Sequence, residues 1–357
     1  MLEHDLMEGL QAAIDDLPDA AVRDVSFEAP LSKRSQPDAM MSVDAGGRKI
    51  DLVIEALKTA YPRDVREKIW QIRHYLDDIV ISAPEPIGML IANTISKGAR
   101  ELLQEANVGY YDASGSLFLP AKSMYVLVDR PAKAKVRKVR DAIFKGQRAQ
   151  VLHFLFGADQ DWLSVKKIAA STGVSSATVS ETLSELERRE WVQTEGNGPS
   201  KLRRLAARRD MLDAWSQFII QQKPPETERF YLPGSEIEGI MVNLNHACRE
   251  AEVAYAISGE AAGQVYSPYL SNISRVTCRM ASGRGRNKVL ETLDARPVTD
   301  GWNFAIYTGA KKTEAIQSEE HKGVFLAPAL QVYLDLLQGG GRSKEMAQHL
   351  RETTLRD

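Results

Sequence analysis

Two stretches of this chain carry residues whose types and spacing could do chemistry on a phosphate-bearing polymer. The first is Ser175-Ser176-Ala177-Thr178-Val179-Ser180-Glu181-Thr182. Small hydroxyl side chains at the start of a helix can come close to base edges and phosphates and bond to both. Lys166 precedes this run, and Lys201, Arg203 and Arg204 follow it, cations suited to phosphate contact. The second stretch holds Asp38, Asp44, Asp51, Glu55 and Lys58. Two converging carboxylates can hold Mg2+, and a nearby lysine can steady an attacking water. On a strand, an acid and a lysine two residues apart share a face. Glu55 and Lys58 are three apart and so face opposite sides unless a bulge intervenes.

The elements that must position the first set are legible. Val151, Leu152, Leu155 and Phe156 give an apolar face to a helix over 147–156. Ser164 can cap a second helix running to Ser171, with Val165, Ile168 and Ala169 inward. Thr172-Gly173-Val174-Ser175 then makes a tight turn, with Gly173 at its positive-φ position and Ser175 as the next cap. The third helix buries Val179, Leu183 and Leu186, which leaves Ser176, Ala177, Thr178, Ser180 and Thr182 for the other face. Trp191–Thr194 and Lys201–Leu205 read as two strands joined by the Gly196-Asn-Gly-Pro199 turn. The whole resembles a winged helix-turn-helix of bacterial transcription regulators, with the hairpin as wing. The rival reading of such a module is protein contact alone.

Before it, strands at 50–57 and 87–92, and helices opening at Tyr61-Pro62 and Ser96, predict an α/β domain. Asp112 caps the turn 112–115, and turn-making is its expected role. The domain resembles the restriction-endonuclease fold, and its site is expected to have decayed because a clean acid-x-Lys is missing. Ordinary loop and strand-end charges are the expected role of Asp38, Asp44, Asp51, Glu55 and Lys58. After Pro224-Pro225, Tyr255–Ala262 reads as strand, glycine turn and helix, a start resembling nucleotidyltransferase folds. The next strand, Val276–Met280, holds no acids, so catalysis by that route is not expected. Arg284–Lys288 reads as a solvated hairpin tip, Trp302 as core, and Gly339–Gly341 as a connector with Ser343 capping a final helix.

The whole-chain charge of -2 hides a segregation. Residues 131–209 hold sixteen Lys/Arg against eight Asp/Glu, while the first twenty residues hold six acids and no Lys or Arg. A basic centre between acidic flanks suits nucleic acid at the centre alone. Lys133, Lys135, Arg137, Lys138 and Arg140 could extend the phosphate footprint. Two cysteines exclude a disulfide scaffold, and no apolar run approaches membrane-spanning length. A cytoplasmic protein without metal or cofactor is expected.

Tyr61-Pro-Arg-Asp-Val-Arg66, the winged helix, and Ala327-Pro-Ala-Leu-Gln-Val-Tyr-Leu-Asp-Leu-Leu337 with Gly341-Arg-Ser and Leu350-Arg351 together resemble antitoxins of type IV (abortive infection E) toxin–antitoxin systems. That resemblance implies an autorepressing DNA-binding antitoxin whose C-terminal domain opposes a nucleotidyltransferase toxin. Compact members start at the winged helix, whereas here an α/β domain comes first. The expected organisation is multidomain α+β: an α/β restriction-endonuclease-like domain over 1–130, a basic linker and winged helix over 131–223, and a mixed α/β domain over 224–357. The expected function is sequence-specific binding of double-stranded DNA without enzymatic activity, as a homodimer or with a cognate toxin. The alternatives are a metal-dependent nuclease of the PD-(D/E)xK type and a plasmid-maintenance adaptor.

Overall fold

A computed structural model describes residues 2–27, 36–79, 85–122, 124–131, 141–158, 161–234, 236–308 and 318–355. Lys133, Lys135, Arg137, Lys138 and Arg140 lie outside the described residues. The chain divides into two compact units, Met1–Val151 with Gln160–Ala206, and Leu152–Asp159 with Ala207–Asp357. Both are mixed α/β. Among the described residues no helix is long and apolar enough to cross a membrane.

The first unit is built on a seven-stranded sheet whose spatial order follows the chain: β1 (Ala20–Phe27), β2 (Ala39–Ala45), β3 (Arg48–Leu57), β4 (Glu85–Ala92), β5 (Gly109–Asp112), β6 (Leu117–Pro120) and β7 (Tyr125–Val128). β3–β4 and β4–β5 run parallel, and the other pairs are antiparallel. Side chains alternate across the sheet. Ile50, Leu52, Ile54, Ile87, Met89 and Ile91 face one core, with Leu6, Met7, Leu10 and Ile14 of helix α1 (Leu2–Asp15). Leu90, Ala92 and Tyr110 face the other core, with Val65, Ile69 and Ile72 of α2 (Pro62–Asp78) and Ala99 and Leu103 of α3 (Lys97–Glu105). The Asp112 turn forms as expected, its Oδ1 accepting from Ser114 N at 2.8 Å, but Asp112 also takes Arg100 Nη2 at 2.6 Å and is buried.

The same unit carries the winged-helix elements. They are the first half of α4 (Gly146–Gly157), β8 (Leu163–Ser164), α5 (Val165–Thr172), α6 (Ser176–Arg188), β9 (Val192–Glu195) and β10 (Leu202–Leu205). The three strands form a small sheet in the order β8-β10-β9.

The second unit holds α7 (Arg208–Ile220), β11 (Thr227–Tyr231), α8 (Ile237–Glu250), β12 (Tyr255–Ser258), α9 (Gly259–Tyr266), β13 (Val276–Met280), α10 (Arg284–Thr292), β14 (Arg296–Pro297), β15 (Phe304–Tyr307), β16 (Glu319–His321), β17 (Val324–Leu326), α11 (Ala329–Leu337) and α12 (Ser343–Leu350). Its sheet runs β14-β11-β15-β13-β12-β17-β16, with β12–β17 and β13–β15 parallel. A buried polar knot ties α11 to this sheet. Asp335 accepts from Ser258 Oγ at the end of β12, from Arg279 Nη2 on β13 at 2.6 Å, and from Gln331 Nε2 at 2.8 Å. Cys248 and Cys278 are free thiols in this core.

Two local expectations are corrected here. Arg284–Lys288 is not a solvated tip: it opens α10, and Arg286 is buried with its guanidinium on Glu228. Ser343 does not cap α12; it begins it, and its hydroxyl is buried against Glu260.

Helix α2 reaches the sheet only because β4 has a glycine beneath it. A Cβ on Gly88 would collide with Ile72 Cγ2. Gly88→Ala is therefore expected to cost roughly 1–3 kcal/mol through overpacking, measured by urea unfolding, with far-UV circular dichroism unchanged.

Candidate nucleic-acid interface and a neighbouring carboxylate site

The turn between α5 and α6 is made by residues chosen for it. Ser164 accepts from Lys167 N at 3.2 Å and so caps α5. Gly173 ends that helix at φ 70, a left-handed conformation that costs glycine no steric penalty. Val174 is buried in the core, and Ser175 Oγ accepts from Thr178 N at 3.2 Å to start α6. Val179, Leu183 and Leu186 anchor the inner face of α6. Ser175, Ser176, Ala177 and Ser180 are exposed, Thr178 is half-buried, and Lys166 is exposed on α5. Thr182 corrects the expectation. It is fully buried, with its hydroxyl donating to Thr178 O at 2.7 Å, so it faces the core and not a partner.

The wing separates its cations by the strand's two-residue alternation. Arg203 points inward and is 8% exposed, with Nε donating to Glu187 Oε1 at 2.9 Å. It is a buried strut and not the expected phosphate ligand. Lys201 Nζ donates to the other oxygen of Glu187 at 2.7 Å. Arg204 points the other way. Its guanidinium lies 4.8 Å over the Trp162 ring and donates to Gln193 Oε1 at 2.9 and 2.7 Å. Six of the ten expected contact residues in this module are thus well placed for an outside partner: Lys166, Ser175, Ser176, Ala177, Ser180 and Arg204.

The far end of α6 is clamped to α2. Arg188 Nη2 donates to Asp64 Oδ2 at 2.8 Å and to Thr59 O at 3.1 Å, and its guanidinium lies 5.0 Å over the Tyr61 ring. Arg189 sits 4.7 Å over the same ring and 4.9 Å over Trp191. Arg66 Nε donates to Glu190 Oε1 at 2.9 Å, and Arg63 reaches Glu187 at 3.5 Å. Tyr61, Arg63, Asp64 and Arg66 belong to the Tyr61–Arg66 motif of the sequence, but their pairing with the end of α6 is not foreseen there. The signal was there, in a Glu-Arg-Arg-Glu run just past the apolar positions of a helix.

The carboxylates of the α/β domain do not form one set. Asp44 accepts from Arg23 at 3.2 Å and from Gly47 N at 3.0 Å, a hairpin role. Asp51 accepts from Ser42 Oγ on the neighbouring strand at 2.5 Å, and lies four residues from Glu55, about 13 Å along β3 by strand rise. Lys58 is exposed, one residue past the end of β3. Asp38 and Glu55 do lie together at the sheet end, Asp38 Oδ2 accepting from Ala56 N at 2.8 Å. Glu55 is 1% exposed, so it is no ordinary strand-end charge. Its lysine comes from α2: Lys68 Nζ bonds Glu55 Oε2, and Gln71 Nε2 donates to Oε1 at 3.2 Å and also bonds Tyr75 Oη. Burial pushes the Glu55 carboxyl above the usual range, with Asp38 adding to it and the Lys68 ammonium opposing. Lys68, Gln71 and Tyr75 were also missed. Their spacing puts them on one polar strip beside the apolar Val65, Ile69 and Ile72 of the same helix.

Among the described residues no group of three His, Cys, Asp or Glu side chains is placed to hold a metal ion. The donor set at Glu55 does not fit a resident divalent cation. Two carboxylates converge, and both oxygens of the buried one are already bonded to Lys68 and Gln71.

Residues 144–201 match the model of the MarR family. A search of the curated proteins finds no match. Among solved structures, a repair endonuclease from Pyrococcus abyssi matches at 17% identity and a TM-score of 0.23, over 33% of this chain and 47% of that one. The chain thus spans about half the length of that structure.

Two measurements check the electrostatics. At Glu187, burial pushes the carboxyl up, but the bonds and charges of Lys201 and Arg203 outweigh it and hold it below the usual range. A depressed carboxyl stabilises above its unfolded value of about 4.3 and loses that stability as pH falls through its folded value. Glu187→Gln is therefore expected to flatten the fall in urea resistance predicted as pH drops below about 4.3. At Glu55, Lys68→Met alone should destabilise by roughly 3–5 kcal/mol, whereas Glu55→Met with Lys68→Met should recover most of it. Chemical denaturation of the three variants reads this directly.

Proposed function

We propose that this chain is a sequence-specific double-stranded DNA-binding transcriptional regulator without catalytic activity of its own. The observation that carries this reading is the MarR-family match over 144–201 together with the exposed N-terminal face of α6. Ser175, Ser176, Ala177 and Ser180 present small side chains and hydroxyls that can enter a major groove closely. Lys166 and Arg204 flank them as phosphate contacts. The planar Arg204 guanidinium is already oriented by Trp162 and Gln193, which lowers the ordering cost of a contact.

The antitoxin role is a finer version of the same reading. Its C-terminal motif forms α11 and α12, and Leu330, Val332, Tyr333, Leu334, Met346, Ala347 and Leu350 are buried there. That motif supports a shared core more than a toxin-facing surface. For the nuclease alternative, Asp38 beside Glu55 is the favourable observation, and the engagement of both Glu55 oxygens by α2 is the unfavourable one. The site reads as a former metal pocket whose charge is now balanced by Lys68.

Binding to operator fragments selected from random duplex DNA tests the regulator reading. Arg204→Ala and Lys166→Ala should each weaken binding to all sequences and lower the salt slope by about one. Ser176→Ala with Ser180→Ala should change which sequence is preferred. Arg203→Ala should act on stability in place of salt slope. Absence of duplex binding by the full chain would sink this reading. Mg2+- or Mn2+-dependent cleavage that disappears in Glu55→Gln would replace it with the nuclease.

A further inference from the structure

We infer that the second unit holds a binding site for a small phosphate ester with free hydroxyls, a sugar phosphate or a nucleotide built on one. This goes beyond the DNA-binding reading and does not rest on it. A cavity of about 560 Å3 opens between the start of α8, helix α9 and the loop that leads into β13. Small-molecule pockets commonly enclose roughly 300–1,000 Å3. Its walls are pinned in advance. Gln264 of α9 accepts from Tyr269 N at 3.0 Å and Leu270 N at 3.1 Å, and donates to Leu270 O at 2.9 Å. Asn303 accepts from Leu232 N and donates to Leu232 O, both at 2.8 Å. A site held by its own frame has less left to order when a ligand arrives.

Other polar groups of the lining are not spent in this way. Glu236, Glu238, Ser271, Asn272 and Ser274 are exposed, and their side chains make no hydrogen bond or ion pair among the described residues. A pair of cations stands beside them. Arg275 follows Ser274 directly and Trp302 precedes Asn303, and Val276 N donates to Asn303 O at 2.9 Å, so the two segments lie side by side. The Arg275 guanidinium lies 4.3 Å from the Trp302 ring centroid, and that of Arg229 lies 5.5 Å from it. Trp302 is therefore not a core residue: it is half-buried and carries two cations. Arg279, Arg286, Arg296 and Arg342 of the same unit each meet a carboxylate. Arg229 and Arg275 meet none among the described residues, and Arg229 donates to Thr299 O at 3.5 Å. Two guanidiniums gathered on one ring without a carboxylate suit an outside anion, and the planar fork of arginine matches phosphate.

The two kinds of group together select the ligand. Ionised carboxylates only accept, so Glu236 and Glu238 suit hydroxyls and repel a phosphate. The guanidiniums only donate, so they suit the phosphate. A bare phosphate ion answers the arginines alone. A sugar phosphate carries its anion at one end and neighbouring hydroxyls at the other, and so answers both. Ile237, Leu270 and Ile273 add an apolar side on which a sugar or base ring can rest.

Isothermal titration of the full chain with ribose 5-phosphate, 2-deoxyribose 5-phosphate, adenosine monophosphate and inorganic phosphate tests this. Ribose 5-phosphate or adenosine monophosphate is expected to bind with a Kd below about 1 mM, and inorganic phosphate at least about ten-fold more weakly. Tighter binding of adenosine monophosphate identifies a nucleotide as the source of the phosphate ester, and equal or tighter binding of ribose 5-phosphate a free sugar phosphate. Arg275→Ala should weaken binding at least about ten-fold. Glu236→Ala with Glu238→Ala should erase the preference for ribose over deoxyribose. All three positions are exposed, so unfolding midpoints should be unchanged. Failure of both sugar-bearing ligands to bind at about 1 mM, or inorganic phosphate binding as tightly as they do, would overturn the inference. So would undiminished affinity in Arg275→Ala, or a ribose preference that survives the double substitution.

Discussion

The carboxylate of Glu187 is where three elements of the first unit meet. It sits on the inner side of α6, takes Arg203 and Lys201 from the wing, and reaches Arg63 on α2. Without it, the buried Arg203 of β10 would be left without its carboxylate and the half-buried Lys201 beside it would lose its partner, a costly arrangement. The orientation of the wing relative to α6 therefore hangs on one buried acid. So does the outward direction of the half-buried Arg204, since strand alternation turns Arg204 outward only while Arg203 is held inward.

The same solution recurs. Glu55 is answered by Lys68 and Gln71, and Asp335 by Arg279, Ser258 and Gln331. In each case a buried carboxylate carries one cation and at least one further donor. Such sites seldom add net stability compared with an apolar core, but they penalise any alternative packing that leaves the charge unpaired. That makes them register marks. The α2–α6 clamp works along the same lines with groups that range from the exposed Arg66 to the buried Arg189, and Tyr61 adds a flat surface on which both Arg188 and Arg189 rest.

Much of this was legible in the chain. Gly173 and Ser175 announced the interhelical turn, because few residue types satisfy a left-handed position followed by a helix cap. The strands at 50–57 and 87–92 followed from apolar runs too short for helices. What escaped was pairing across long sequence distance. Nothing local links Lys68 to Glu55 or Arg203 to Glu187, and basic residues on a wing are ordinarily solvated, so Arg203 passed for a ligand. Thr182 failed for a related reason. As a hydroxyl residue it reads as polar, yet bonding to the preceding turn lets it lie against the core. The opposite facing of Glu55 and Lys58 was legible from their spacing alone, but the lysine that balances Glu55 was not.

The two cysteines bear on how this protein meets its surroundings. Both are buried, and burial pushes the Cys248 thiol up to about 12 and raises that of Cys278 as well. The thiolate is the form that oxidants and alkylating reagents attack, and at neutral pH almost none is present. The molecule is accordingly blind to peroxide and disulfide stress through its own sulfhydryls. A single cysteine introduced on its surface would be the one reactive thiol, so a spectroscopic label can be placed at a chosen residue without first removing the native pair.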